Sequence, residues 1–372
     1  MKDIQGRDID YMRISITDRC NLRCKYCMPK GTGHVKQREI LSLEEIREIA
    51  ACGAGLGIRH LKITGGEPLV RKDCCRLVEM LKAVPGIETV TMTTNGVLLE
   101  AYLKPLVKAG IDGINVSLDT LDQSLYQEIT GQDRLGQVLQ AIHQAVEQGI
   151  AVKVNAVAAE FGEGKQMPEG NATDAGEKEG DGAGTWDPKK KGSTARNWRE
   201  LAGLARRLPV DVRFIEIMPV GYGKRFRPID PERLLEEIRR EHPGMQKDER
   251  IHGFGPAVYY RIPGYLGSIG VIRAVHGKFC GECNRVRLTA QGFLKGCLCY
   301  EDGTDLRAFL RDGAERPGQD WPCRRAEGTK GAEIQGRLKE AMKKAIWEKP
   351  AAHCFERLEG MTEQRGMNAI GG

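Results

Sequence analysis

The sequence predicts an α/β fold built on a parallel barrel or an open parallel sheet, and three observations carry that prediction. Short segments of period-two alternation recur along the chain, helical patterns lie between them, and about six such strand-helix units follow in series. Polar residues and glycines recur where those strands end, the place at which parallel α/β folds gather their chemistry. A chain of 372 residues can bury a sizeable core, as one large domain or two ordinary ones.

Tyr11 to Thr17 alternates apolar and polar residues, as a strand does, and runs into a loop holding Cys20, Cys24 and Cys27. Ser42-Leu43-Glu44-Glu45 is a capping-box signature for a helix with Leu43, Ile46 and Ile49 on one side. Further strands are predicted at Ile58 to Thr64, Ile87 to Thr94, Ile111 to Leu118, Ile150 to Ala158 and Val210 to Ile217. Helical patterns separate them near Asp73 to Val84, Leu99 to Ala109, Arg134 to Gln148 and Asn197 to Leu208. The strand ends carry, in order, Cys20, Gly65-Gly66-Glu67-Pro68, Thr93-Thr94-Asn95-Gly96, Ser117 and Asp119, Asn155, then Glu216 and Met218. Any one of these alone is a turn or a helix cap; their recurrence at equivalent positions marks one end of the fold as a site.

Phe161 to Arg196 breaks the pattern, being rich in Gly, Glu, Lys and Asp, and is expected to be a flexible insertion. Pro228 to Glu241 reads as a helix, and Phe254 to Val275, rich in Gly, Tyr and Ile, suggests hairpins. A first region, 1–228, would hold the strand-helix units, and a second, 229–372, the later cysteines and a Gly-Gly terminus.

With 57 basic and 51 acidic residues the formal charge is +6, too mild to argue for nucleic acid. Met1 to Asp10 lacks the apolar core of a signal peptide and no run is long enough to cross a bilayer, so a cytoplasmic protein is expected. Twelve cysteines in that compartment point to metal or redox chemistry before a disulfide framework.

Cys20, Cys24 and Cys27 fall within eight residues, close enough for one turning loop to bring them to a single metal centre. A structural zinc site takes four protein ligands and an electron-carrying [4Fe-4S] cluster normally takes four cysteines, so a triad leaves one iron for a ligand that is not protein. Cys280, Cys283 and Cys297 form a second group of three, for which Cys299 offers a fourth ligand in a zinc alternative. Arg285 and Arg287 argue the other way: on an extended segment they share one side, beside the metal, suited to phosphate oxygens. Gly65-Gly66-Glu67-Pro68 lacks the Gly-Lys-Ser/Thr ending of a nucleotide loop, but its glycines let backbone approach a ligand closely. Arg13, Lys62 and Lys153 lie on predicted strands, where an anionic ligand accounts for them better than a solvated face.

The Cys-x3-Cys-x2-Cys loop with Tyr26 inside it, followed by Gly-Gly-Glu-Pro after the next strand, resembles the radical S-adenosylmethionine superfamily. Within it, Asp18-Arg19-Cys20-Asn21, Lys62 to Leu69, Asn115 to Asp119, Arg213 to Glu216, Phe279 to Thr289 and the terminal Gly371-Gly372 resemble the GTP 3′,8-cyclase family, which opens molybdenum-cofactor biosynthesis. The matches span most of the chain, excluding Phe161 to Arg196 and roughly Arg311 to Ala345.

The resemblance implies a partial (βα)6 parallel barrel with a C-terminal extension, two [4Fe-4S] clusters and S-adenosylmethionine. Cys20, Cys24 and Cys27 would hold the cluster that cleaves S-adenosylmethionine, and Tyr26, Gly66, Ser117 and Met218 would line that cofactor. Cys280, Cys283 and Cys297 would hold a second cluster whose open iron faces guanine. Arg13, Lys62, Thr93, Lys153, Arg285, Val286 and Arg287 match GTP-contacting positions, and Arg13, Arg285, Arg287, Gly371 and Gly372 match catalytic ones. The implied reaction takes a hydrogen from ribose C3′ of GTP and joins C3′ to C8, giving (8S)-3′,8-cyclo-7,8-dihydroguanosine 5′-triphosphate. It also implies an external donor of flavodoxin or ferredoxin type, a downstream cyclic pyranopterin monophosphate synthase, and a possible homodimer.

The chain departs from the family pattern at His60 and Lys62, where Lys and Arg are common, at Cys299, where an aromatic is usual, and in the long Phe161 to Arg196 segment. Two other functions compete. A two-cluster radical enzyme acting on a peptide usually needs more cysteines near the C-terminus and gives no reason for Arg285 and Arg287. An electron-transfer or zinc-binding structural protein is separated by metal analysis, about eight irons with sulfide against zinc without a brown chromophore.

Overall fold

The structure is a computed structural model that describes residues 1–29, 34–161, 194–311 and 329–371. Parallel strands β1 (Tyr11–Ser15), β2 (His60–Thr64), β3 (Thr89–Thr94), β4 (Gly113–Ser117), β5 (Val152–Ala158) and β6 (Asp211–Glu216) lie side by side in chain order. Their alternation separates two faces. Met12, Ile14, Leu61, Ile63, Val90, Met92, Ile114, Val154 and Phe214 are solvent-free on the outer face and belong to one large apolar core. Arg13, Lys62, Thr93, Asn155 and Ile215 alternate with them and face inward, half-buried.

Helices cover the outer face: α1 (Leu43–Ala54), α2 (Cys74–Lys82), α3 (Leu99–Lys108), α4 (Gln123–Thr130), α5 (Leu135–Glu147) and α6 (Thr194–Arg207). The capping box at α1 forms as expected, Ser42 Oγ accepting from Glu45 N at 3.1 Å and the Glu45 carboxylate from Ser42 N at 2.7 Å. Helix α4 was not foreseen. Its eight residues are too few for a clear amphipathic period, and the chain instead defines its ends, with Asp122 accepting from Leu125 N at 2.8 Å and Gly131 leaving it at φ 77°.

The later chain holds α7 (Pro231–Glu241), β7 (Gln246–Lys247), β8 (Val258–Arg261), β9 (Ile269–Ile272), β10 (Arg285–Leu288), β11 (Phe293–Lys295) and β12 (Thr304–Asp305). After these come α8 (Leu306–Arg311), α9 (Thr329–Trp347) and α10 (Met367–Ile370). All described strands form one sheet in the order β12-β11-β10-β1-β2-β3-β4-β5-β6-β9-β8-β7. The expected hairpin appears as β8 against β9, but β9 also pairs in parallel with β6, and β10 pairs in parallel with β1. Strands from the second half of the chain therefore extend the parallel sheet at both sides, to eight strands.

Phe161, expected to open the insertion, is buried against Tyr26 and Phe226, and α6 already begins at Thr194. The remainder of that segment, 162–193, lies outside the described residues. Among the described residues no helix is long and apolar enough to cross a membrane.

Candidate active site

The loop after β1 is pinned to two neighbouring turns. Arg23 N donates to Thr130 O at 2.9 Å and Lys25 N to Ile129 O at 3.0 Å, which ties the cysteine loop to the end of α4. On the other side Gly66 N donates to Thr17 O at 2.7 Å and Glu67 N to Arg19 O at 2.8 Å. A Cβ at Gly66 would lie 2.3 Å from the Arg19 carbonyl, so only glycine allows this approach. Glu67 turns inward to accept from Leu69 N, Thr94 Oγ1 and Asn95 N at 3.0, 2.8 and 2.7 Å. Asn95 in turn donates to Asn21 at 2.8 Å, with Cys20 Sγ at 3.7 Å. Tyr26 donates its hydroxyl to Asp119 at 2.8 Å, and Asp119 also accepts from Val157 N at 2.7 Å.

Burial dominates the first triad: it pushes the Cys27 thiol up to about 12 and raises Cys24 well above the ordinary thiol range, the neighbouring thiols adding to the effect. Free thiolates are therefore disfavoured there, and a bound cation that neutralises them is a fitting partner.

The second triad sits on the short turn before β10 and the loop after β11. Arg7, itself paired with Asp3, donates to the Cys280 carbonyl at 2.8 Å and to Ala351 O at 3.0 Å, clamping the C-terminal segment onto this turn. His353 N lies 3.5 Å from Cys280 Sγ, and Lys349 Nζ donates to Gly296 O at 2.6 Å. Burial pushes the Cys283 thiol up, but Lys349 and Arg285 outweigh it and bring it down to about 7.

Both triads open on one cavity of about 320 Å³, as large as a small-molecule site requires. Cys20, Cys24 and Cys27 line it with Tyr26, Gly66, Ser117 and Met218; Cys280, Cys283 and Cys297 line it with Arg13, Thr93, Arg285 and Arg287. Among the described residues no three His, Cys, Asp or Glu side chains close on a single metal ion, so the expected single-metal centre is not formed; three sulfurs per triad on the cavity lining match instead the ligand count of a larger cubane cluster with one iron left for a small molecule.

Between the triads the sheet register builds a cationic row. Arg287 on β10, Arg13 on β1 and Lys62 on β2 are direct neighbours across three strands. Burial and the nearby guanidiniums of Arg285 and Arg213 hold Arg13 down to about 10, against a partial offset from Tyr11. Lys62 is pushed well below its usual range by burial and then by Arg213, Arg13 and Lys153. With its oxygen turned toward them, the Asn115 amide accepts from both Lys62 Nζ at 2.7 Å and Arg213 Nη2 at 2.8 Å. Arg213 Nε also donates to Asn155 at 2.8 Å. Crowded like charges that share a neutral acceptor are the electrostatic form of an anion site.

Neither Lys62 nor Lys153 is among the residues that line the cavity; Lys153 donates to the His252 carbonyl and stands 3.7 Å from Asp211. Val286 packs in the apolar core behind β10, so only its backbone faces the site side. Gly371 is reached by Arg287 Nη1, which donates to its carbonyl at 3.0 Å, whereas Gly372 lies outside the described residues. Cys299 is withdrawn from the triad: it is buried in an apolar cluster with its sulfur 3.2 Å from Cys354, so Cys354 has a partner that its sequence neighbours do not reveal. Sequence reasoning named Arg213 only within the Arg213 to Glu216 motif, without a role, and passed over Arg7 and Lys349. Arg213 alone carried a usable signal, a charge on the inward phase of an otherwise apolar strand.

Comparison with known proteins bears on the whole chain. Residues 14–160 match the model of the Radical SAM superfamily and residues 210–355 that of Molybdenum Cofactor Synthesis C. The GTP 3′,8-cyclase of Clostridium perfringens (strain SM101 / Type A) is 35% identical over 374 residues, covering 100% of both chains. That of Moorella thermoacetica is 36% identical over 378 residues, again covering 100% of both. That of Heliobacterium modesticaldum reaches 39% over 319 residues, covering 84% of this chain and 88% of its own. The crystal structure of Streptococcus suis SuiB bound to S-adenosylmethionine superposes with a TM-score of 0.55 at 15% identity, over 84% of this chain and 63% of that one, a likeness of fold. On full-length identity, the two family matches and the partial parallel barrel, the chain belongs to the GTP 3′,8-cyclase family of radical S-adenosylmethionine enzymes.

Proposed function

We propose that this chain converts GTP to its 3′,8-cyclised dihydro nucleotide, the first step of molybdenum-cofactor biosynthesis, in the cavity between its two cysteine triads. The observation that carries this reading is the cationic row of Arg287, Arg13 and Lys62 beside a cavity that both triads line. A peptide-modifying enzyme has no use for such a row, and the relatives that align over full length at 35% and 36% identity are GTP 3′,8-cyclases.

Cys20, Cys24 and Cys27 would hold the first [4Fe-4S] cluster, with Tyr26, Gly66, Ser117 and Met218 around S-adenosylmethionine. Cys280, Cys283 and Cys297 would hold the second, beside the guanine base. When bound, the first cluster with S-adenosylmethionine supplies the one-electron chemistry that no side chain can provide. The chain's own residues position and neutralise. Arg13, Lys62, Lys153, Arg285 and Arg287, with Thr93, hold the triphosphate, and Arg213 joins them through Asn115. Glu216, buried beneath the loop before the second triad, accepts from Val275 N at 2.8 Å and His276 N at 3.1 Å and keeps that loop in place. The apolar wall of Ile215, Ile217 and Phe279 keeps water from the reacting ribose. Gly371 and Gly372 would bring tail backbone beside Arg287.

The division of labour follows the chain: 1–228 serves the radical source and 229–372 supplies the second cluster and the tail. A flavodoxin- or ferredoxin-type donor, a downstream cyclic pyranopterin monophosphate synthase, a cytoplasmic setting and a homodimer complete the reading. Anaerobic reconstitution with GTP, S-adenosylmethionine and a reductant, followed by identification of the nucleotide, tests it. The expected product is the 3′,8-cyclo nucleotide with one 5′-deoxyadenosine per turnover; unreacted GTP in the presence of both intact clusters overturns it.

A further inference from the structure

We propose that the β10–β11 hairpin is a clamp that positions the C-terminal tail across the cavity, with Lys295 the positioning residue at one end of the grip and Arg287 at the other. The proposal rests on the reading above that the tail belongs to the active site. Arg287 and Lys295 are directly opposed in antiparallel register, so both side chains leave the same face of the hairpin.

Lys295 is solvent-free and ion-paired with Glu363, which is solvent-free as well. Arg365 closes over the same carboxylate, Nε to Oε1 and Nη2 to Oε2, each at 2.9 Å. The Glu363 amide donates to Cys299 O at 3.2 Å, fixing the backbone as well as the side chain. Eight positions further along, Arg287 Nη1 donates to the Gly371 carbonyl at 3.0 Å. The span between the two grips is seated too. A Cβ at Gly221 would come within 2.7 Å of Gly366 Cα, and Asn368 is buried with its amide nitrogen 3.4 Å from the Asp18 carbonyl.

Burying an ion pair without solvent gains little stability over an apolar pair of similar size; its distinctive effect is to specify one arrangement. Here that arrangement sets where the span 364–371 begins. A strand face that holds position 363 with one cation and position 371 with its cross-strand neighbour fixes the tail terminus relative to Arg287 itself. A freely frayed terminus would not seal a carboxylate under a hairpin.

Hydrogen–deuterium exchange by mass spectrometry on the reconstituted enzyme tests the clamp. Amides of 364–371 exchange slowly in the unaltered protein; complete exchange at the earliest time overturns the proposal without recourse to any variant. In Glu363→Gln and Lys295→Met, compared at iron content equal to the unaltered enzyme, the tail peptide is expected to exchange about ten-fold faster while β1–β6 peptides keep their rates. Lys295→Arg, which retains the charge, is expected to restore slow exchange. Unchanged tail exchange in Glu363→Gln overturns the clamp. Faster exchange with a fall in kcat of about ten-fold and little change in KM for GTP supports both clamp and tail function. Faster exchange with unaltered turnover supports the clamp and overturns the active-site reading of the tail.

Discussion

Lys62 points into the barrel with a neutral amide as its acceptor and Arg213, Arg13 and Lys153 in its electrostatic neighbourhood. That arrangement weakens the empty fold and favours it once a polyanion enters. Lys62→Met is therefore expected to raise stability by about 1–2 kcal/mol and to lose much of the stabilisation that inorganic triphosphate confers. Thermal melts with and without triphosphate decide it: equal stabilisation of both proteins removes Lys62 from the anion site. Asp119 supplies a pH signature. Burial raises its carboxyl from 3.8 to about 6, against the hydrogen bonds from Val157 N and Tyr26. Between those values the folded state holds a proton that the unfolded chain has released, so stability falls as pH rises from about 4 to 6. Asp119→Asn should lack that fall, and the gap between the two proteins should shift by at most about 3 kcal/mol across the window. Parallel denaturation curves at both pH values would refute the assignment. At this scale Arg13, Lys62 and Lys153 were legible, because a charge on a barrel strand needs a partner. The role of Asn115 as shared acceptor was not, since it depends on a register across five strands that no local pattern contains.

Elements were legible where periodicity and end signals agreed. The six strands fall within two residues of their expected ends, α1 starts at its expected cap, and the alternation of Arg285 and Arg287 became β10. What escaped was pairing at a distance. That β10 lies parallel to β1, with Tyr11 against Arg285 and Arg13 against Arg287, follows from a sequence separation no local rule spans. Loops are where element and chemistry meet, and the turn after β2 is the sharpest case. Gly66→Ala would drive a Cβ to 2.3 Å from the Arg19 carbonyl and to 2.8 Å from that of Asp18, so the first cysteine loop must move. The expected outcome is loss of the first cluster alone, with bound iron falling to about half. Gly281→Ala is the control, since a Cβ there meets nothing within 4 Å. Full iron content in Gly66→Ala would show that the loop tolerates the shift and that this glycine does not set the site.

On the scale of the molecule, the decisive fact is that triads separated by more than two hundred and fifty residues open on one cavity. The topology accounts for it: β10 adds to the sheet next to β1, so the turn before β10 and the loop after β1 are carried by neighbouring strands, and Arg13 and Arg287 lie between the triads. The apolar core is continuous beneath both, from Ile9 to Ile346, so removing one triad need not unfold the other. Cys280→Ala therefore should keep the first cluster and S-adenosylmethionine cleavage while losing about four of about eight irons and all cyclisation. Triphosphate affinity should fall by no more than about ten-fold, because Arg13, Lys62 and Arg287 remain in register. Cys24→Ala should show the converse, retaining the second cluster and guanine binding with no cleavage. Iron analysis and electron paramagnetic resonance of the two variants, each with and without GTP, separate these outcomes. A GTP-dependent spectrum in Cys280→Ala matching that of the unaltered enzyme would mean that guanine meets the first cluster, and the two-triad assignment would have to be abandoned.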